Sequence, residues 1–309
     1  MLEILVAIAP IFLLIVLGHI LRRGDIPSLE FWSLNDRLVY WVLLPSLLFQ
    51  KTSTNEFSPD LIGSYAVVIL GSFAVVFVCA LLVLRVMTIS PAAGTSFLQG
   101  AVRHNMFIAL AVAGSLYGPT GLALATLIPA LLIPVTNIAI VTAMVAMLHD
   151  GEEKGLTRHI LRDLVRNPLI IAIGLGVLTN MLTDGPVPVL NEAATLLGNA
   201  SLPVMLLCVG ANIRVRGLET AVVPMLISCV IKLVIFPAAI LVLAILMGLS
   251  EMETVVALLF GVVPTSASSY TFAKQMGGDA PLMAAIVTLQ TVFAFLTMPL
   301  TLTLARQFM

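Results

Sequence analysis

Residues 100–110 read GAVRHNMFIAL, and Arg103, His104 and Asn105 stand there side by side in a stretch that is otherwise oil-like. The surrounding chain of 309 residues is 60% hydrophobic and 10% charged, with a mean hydropathy of +1.12. Apolar runs longer than the roughly 18 residues that mark a spanning helix recur along it, so the composition specifies an all-α polytopic membrane protein. Three adjacent polar side chains inside such a run need a physical reason.

Working outward, polar and glycine punctuation cuts the chain into ten spans, at 2–21, 31–50, 61–84, 93–117, 120–147, 168–182, 189–212, 219–247, 254–276 and 281–305. The first run lacks a basic leader and a small-residue cleavage site, and is read as the first transmembrane helix. With the amino terminus outside, Arg22, Arg23, Arg37, Arg85, Lys154, Arg158, Arg162, Arg166, Arg214, Arg216 and Lys274 fall at cytoplasmic ends. Only Lys51 and Arg306 then lie outside, so both termini are expected to be external in a multi-pass protein of the cell's inner (plasma) membrane. No basic stripe is present to neutralise phosphates, which argues against a nucleic-acid partner. Cys79, Cys208 and Cys229 have neither disulfide nor zinc spacing and read as core packing.

The chain also repeats itself. Pro10 and Pro168, Gly18 and Gly176, and Pro45 and Pro203 recur at one constant spacing, and QGAVRHN aligns with FGVVPTS after a small insertion. Five spans on each side of the repeat force the second half to enter the membrane upside down. The expected organisation is therefore a first five-helix repeat at 1–147, a cytoplasmic linker at 148–167 and an inverted five-helix repeat at 168–309. Within the linker Arg158, Arg162 and Arg166 recur every four residues, which predicts a short amphipathic surface helix. Inverted repeats are the architecture of secondary transporters.

That frame gives the opening stretch its reason. Arg103 lies nine residues past Gly94, about 14 Å into a hydrocarbon core about 30 Å thick. A cation at that depth costs about 3 kcal/mol or more unless it meets water, carbonyls or an anion. The repeat-related segment, GVVPTSASSYTF, contains Pro264, which deletes a helical hydrogen bond, and Thr265, Ser266, Ser268 and Ser269, which can satisfy the freed carbonyls. Both segments read as interrupted helices at one depth, the pattern that marks a transporter binding site.

Each residue has two readings. Arg103 either contacts a substrate anion or caps carbonyls of the broken helix. His104 is either a proton carrier or a neutral histidine bonding a neighbouring helix. Asn105 is helix glue or a substrate contact. Lys232, deep in SCVIKLVIFP, calls for carbonyl partners near a break. Pro45 and Pro203 kink their helices or, with Asn35 and Asn199, form a cavity wall. Every Asp and Glu reads as lying at a helix end or in a loop, so no intramembrane carboxylate is expected. Sodium held by carbonyls, Ser, Thr, Asn105 and Gln290, protons through His104, and uncoupled diffusion all stay open, with no other cofactor called for. An intramembrane enzyme would want an acid beside its serines, and a channel a continuous polar face.

The sequences RHN before LAVAG, VPTSASSYTFAKQMGGDAPLMAAIVTLQ, LTMPLTL, LVYWVLLPSLLF and IKLVIFPAA resemble the auxin efflux carrier family, which includes malonate-type permeases. The resemblance runs over essentially the whole chain. It implies ten transmembrane helices in two inverted five-helix repeats, with broken helices 4 and 9 crossing, and a fold related to the bile acid sodium symporters. It further implies a scaffold of helices 1, 2, 6 and 7, a transport domain of helices 3–5 and 8–10, elevator movement, and small organic anions as substrates. The expected substrate-binding set is Arg103, His104, Asn105, Pro264, Thr265, Ser266, Ser268 and Gln290, with Lys232, Pro45, Pro203 and Asn199 structural or coupling. A homodimer through the scaffold helices, embedded in a lipid bilayer, is the expected assembly.

Overall fold

The computed structural model describes residues 2–55, 57–148, 165–183, 185–213 and 222–309, and among these every regular element is helical. The first elements are α1 (Leu2–Arg23), α2 (Leu29–Leu38), a π-helical turn (Val39–Leu43), α3 (Leu44–Thr54) and α4 (Pro59–Val86). They are followed by α5 (Pro91–Val102), α6 (Met106–Leu148), α7 (Pro168–Leu182), α8 (Leu190–Ala211) and α9 (Val222–Val230). A second π-helical turn (Ile231–Ile235), α10 (Phe236–Leu246), α11 (Glu251–Val262), α12 (Ser268–Met276) and α13 (Ala280–Ala305) complete the order. Among the described residues six helices are long and apolar enough to cross a membrane, so the chain is a multi-pass membrane protein.

Local sequence explains where these helices start. Ser58, Ser90 and Asn167 each accept a bond from a first-turn N–H and each precede a proline, at Pro59, Pro91 and Pro168. A side-chain oxygen at the cap with proline just inside satisfies one orphan donor and removes another. Ser250 and Glu253 close a capping box on α11, and Asp279 caps α13. Pro45 and Pro237 follow the two π-helical turns, whose wider bonds run from the N–H of Leu44 to Val39 and from Phe236 to Ile231. Gly118 has φ 58°, so α6 is a helix to Tyr117, a sharp joint, and a second helix beyond it.

Two close helix pairs build one side of the molecule. A methyl group on Gly18 of α1 would collide with the carbonyl of Leu207 on α8, and one on Gly176 of α7 would collide with Thr52 and the carbonyl of Phe49 on α3. Asn180 donates to the Ser53 carbonyl at 3.1 Å and Asn191 to the Ser53 hydroxyl at 3.0 Å, which ties α7 and α8 to the end of α3. On the other side α11 packs on α6, α10 on α4, and α5 on α13. Contacts that bridge the two sides run mainly between α6 and the helices α1, α3 and α8: Ser115 donates to the Ala7 carbonyl at 2.7 Å, and, from α13, the ring of Phe295 meets that of Phe12 edge-to-face at 4.9 Å.

Most of the surface linker helix expected around Arg158 and Arg162 lies outside the described residues. α5 and α11 have the same length, 12 residues, and end in matching extended caps, Arg103 (φ −72°, ψ 156°) and Val263 (φ −73°, ψ 151°). Arg103 and Val263 thus take the same position at the ends of their helices.

Candidate functional site

The two interrupted helices cross at their breaks. Residues 103–105 separate α5 from α6, residues 263–267 separate α11 from α12, and the Asn105 N–H donates to the Pro264 carbonyl at 2.8 Å. A helix that stops inside the protein leaves carbonyls with no partner, each costing about 1–3 kcal/mol if buried unpaired. Here the Gly100 carbonyl accepts Gln290 Nε2 at 2.9 Å, while Gln290 Oε1 accepts the Thr265 N–H at 2.8 Å. The Thr265 hydroxyl reaches the Gln99 carbonyl at 3.3 Å. At the other break the Phe260 carbonyl accepts Lys232 Nζ at 3.0 Å, and that ammonium also lies 4.4 Å from the Phe236 ring centroid.

The downstream half-helices begin at the same place. Asn105 Oδ1 accepts the N–H groups of Phe107 at 3.1 Å and Ile108 at 3.3 Å, and so caps α6. Ser266 takes a comparable position before α12: its carbonyl accepts the Ser269 N–H at 3.0 Å, and its hydroxyl pairs with that of Ser268 at 2.9 Å. Two helix amino termini, each carrying partial positive charge, therefore converge.

They converge on a cavity of about 620 Å3. Arg103, His104, Asn105, Ser266 and Ser268 line it, joined from the opposite wall by Asp36, Tyr40, Asn167, Met205 and Asn212. Arg103 is half-buried, with its guanidinium carbon 5.0 Å from the Phe272 ring centroid and one nitrogen 3.3 Å from Gln99 Oε1. Among the described residues the single ion pair joins Arg306 and Glu251 at 3.2 Å, so no carboxylate neutralises Arg103. Its remaining donors are available for a planar anion in the cavity. His104 is 7% exposed, meets the Phe260 ring edge-to-face at 5.7 Å, and has no hydrogen-bond partner for Nδ1.

The eight expected binding residues thus divide. Arg103, His104, Asn105, Ser266 and Ser268 line the cavity, whereas Pro264, Thr265 and Gln290 hold the crossing together behind it. Lys232 is fully buried and serves the α11 break. Pro45 sits in the first turn of α3, and Pro203 lies on an exposed face inside α8. Pro45, Pro203, Asn35 and Asn199 are not among the residues that line this cavity: Asn199 is exposed, and Asn35 donates to Cys208 Sγ at 3.2 Å.

One expectation is overturned. Asp36 does not lie in a loop or at the end of its helical run, because α2, the π-helical turn and α3 continue without interruption from 29 to 54. Its carboxylate lines the cavity and accepts Asn212 Nδ2 at 2.8 Å. Sequence reading also passed over Thr136, Asn137 and Gln275, which line the cavity too. Single polar residues on long apolar helices carry no spacing signal, and only the packing of α6 and α12 brings these together.

The profile of a family described as membrane transport protein matches residues 3–302, over which the motif resemblance also runs. No curated protein matches the chain.

Proposed function

We propose that this chain, which belongs to the membrane transport protein family that includes the auxin efflux carriers, carries small organic anions of the carboxylate class by elevator-type alternating access. The observation that carries this reading is Arg103: a mid-membrane guanidinium with no acidic partner among the described residues, facing a cavity onto which two helix amino termini also point. Desolvating a carboxylate needs such compensation, and the planar fork of arginine supplies two parallel bonds.

The reading counts ten crossings, with α2–α3, α9–α10 and the broken pairs α5–α6 and α11–α12 each forming one, and Gly118 separating the fourth from the fifth. Support for an inverted repeat comes from the glycine contacts. Gly18 against the Leu207 carbonyl and Gly176 against the Phe49 carbonyl exchange places at the same spacing that relates Pro10 to Pro168. A static half of α1–α3, α7 and α8 would then face a moving half of α4–α6 and α9–α13, with the cavity between them. Asn167 and Asn212, at helix ends assigned to the cytoplasm by the positive-inside rule, stand at the cavity wall, so this is read as the cytoplasm-facing state. The inner membrane, external termini and a homodimer through the static half complete the proposal. Sodium coupling is a second reading, favoured by the unpaired Thr136 hydroxyl beside Asn137 in the same cavity.

The test is a thermal-shift and uptake screen of malonate, other small carboxylates and indole acids, with and without sodium, on wild type and Arg103→Ala. Stabilisation by a carboxylate that vanishes in the variant is expected. Equal affinity for an uncharged amide analogue would remove the anion assignment.

A further inference from the structure

The cavity has two poles. On one wall stand Arg103 and the amino termini of α6 and α12, all of them positive. On the other stands Asp36, and these two side chains of opposite sign share the cavity without forming an ion pair. Around Asp36 the wall presents acceptors. Asn212 gives away both hydrogens of its amide, one to the Asp36 carboxylate at 2.8 Å and one to the Cys208 carbonyl at 3.0 Å. Because both neighbours are acceptors the amide has only one orientation, and its Oδ1 is what remains for a ligand. Asp36 accepts that one amide bond, stands beside the Cys208 thiol, and keeps further lone pairs on its carboxylate. Two other cations act on it from a distance. Arg22, at the end of α1, attracts it without pairing, and Arg37 lines the cavity but is exposed, where water screens it.

We propose that Asp36 selects the substrate: the ligand is a monocarboxylate whose far end donates hydrogen bonds, with its carboxylate on Arg103 and an ammonium or hydroxyl group on Asp36 and Asn212. An ammonium satisfies both poles at once, and a hydroxyl gives the Asp36 carboxylate a donor. A methyl end leaves that acceptor covered and unpaired, and a second carboxylate meets a like charge. Dicarboxylates are thus the members of the carboxylate class that this wall turns away. This deepens the transport reading, on which it rests, by naming the far end of its substrate.

The test is a set of ligands of one length, X–CH2–CH2–COO−, with X an ammonium, a hydroxyl, a methyl or a carboxylate group: β-alanine, 3-hydroxypropionate, butyrate and succinate. Titration calorimetry on the purified full chain should rank them in that order, with β-alanine roughly tenfold tighter than butyrate and about a hundredfold tighter than succinate. Asp36→Asn, which keeps the shape and an acceptor for Asn212, should bring all four within about threefold of one another, and Asp36→Lys should put succinate first. Equal affinities in the wild type, or the wild-type order kept in Asp36→Asn, would overturn the assignment and leave Arg103-dependent carboxylate binding standing. That is the result expected if Asp36 and Asn212 only tie α2 to α8. Binding of none of the four would also overturn it, and the screen of malonate and indole acids then reports on the transport reading by itself.

Discussion

The breaks between α5 and α6 and between α11 and α12 share a geometry and differ in chemistry. Each upstream half-helix is 12 residues long and ends in the same extended conformation. Each needs an outside donor for a carbonyl in its last turn. At the first break that donor is the neutral amide of Gln290, and the break turns the charge of Arg103 towards the cavity. At the second the donor is the buried ammonium of Lys232, and the break offers the cavity only the hydroxyls of Ser266 and Ser268. One crossing thus turns one cation towards the cavity and another towards its own backbone, and under the proposed function this separates recognition from support although the two lie on one structural motif.

Substitutions can break this separation. The largest effect is expected for Arg103→Ala, with carboxylate binding lowered by about two to three powers of ten as a two-pronged charge-assisted contact is lost, and Arg103→Lys retaining part of it. Melting temperature should change little, because the guanidinium supports no backbone group. Unfolding of both variants would make Arg103 a structural cap. Gln290→Leu should show the reverse profile: it orphans the Thr265 N–H and the Gly100 carbonyl together, for a stability loss of roughly 2–4 kcal/mol in denaturation measurements.

Lys232→Met removes the donor to one carbonyl and is expected to cost about 1–3 kcal/mol, with carboxylate affinity of the folded fraction unchanged. If affinity instead collapses as it does in Arg103→Ala, the ammonium belongs to the anion site and the division of labour fails. The smallest effect is expected for Asn105→Ala, about 1 kcal/mol of stability from the lost cap on α6. A much larger drop in carboxylate binding than in stability would place Asn105 among the ligand contacts as well.

How much of this was legible in the sequence can be followed residue by residue. The breaks were, because a run containing Arg, His and Asn, or Pro followed by Thr and Ser, cannot continue as a lipid-facing helix. Helix starts were legible to within about three residues: spans expected from 61, 93 and 168 begin at Pro59, Pro91 and Pro168. The cavity wall opposite Arg103 was not. Asp36 read as a helix-end acid because the helix was expected to begin later than it does, and its partner Asn212 is 176 residues away. Pro264 and Thr265 read as ligand contacts because residue type cannot tell a group that faces a cavity from one that closes the crossing behind it.

The sequence by itself determined that this chain lives in a bilayer and that two of its helices are interrupted. Those outcomes follow from local composition, since hydrocarbon leaves the backbone no alternative to helix and no tolerance for stray charge. Only the tertiary structure decided which group completes each break and which polar atoms face open space. The Gly100 carbonyl finds its donor 190 residues away and the Phe260 carbonyl finds its donor 28 residues away; the sequence called for carbonyls near a break as partners of Lys232 but could not say which one. Such partners are chosen by how the helices pack, because a buried carbonyl takes whichever donor the packing brings within reach.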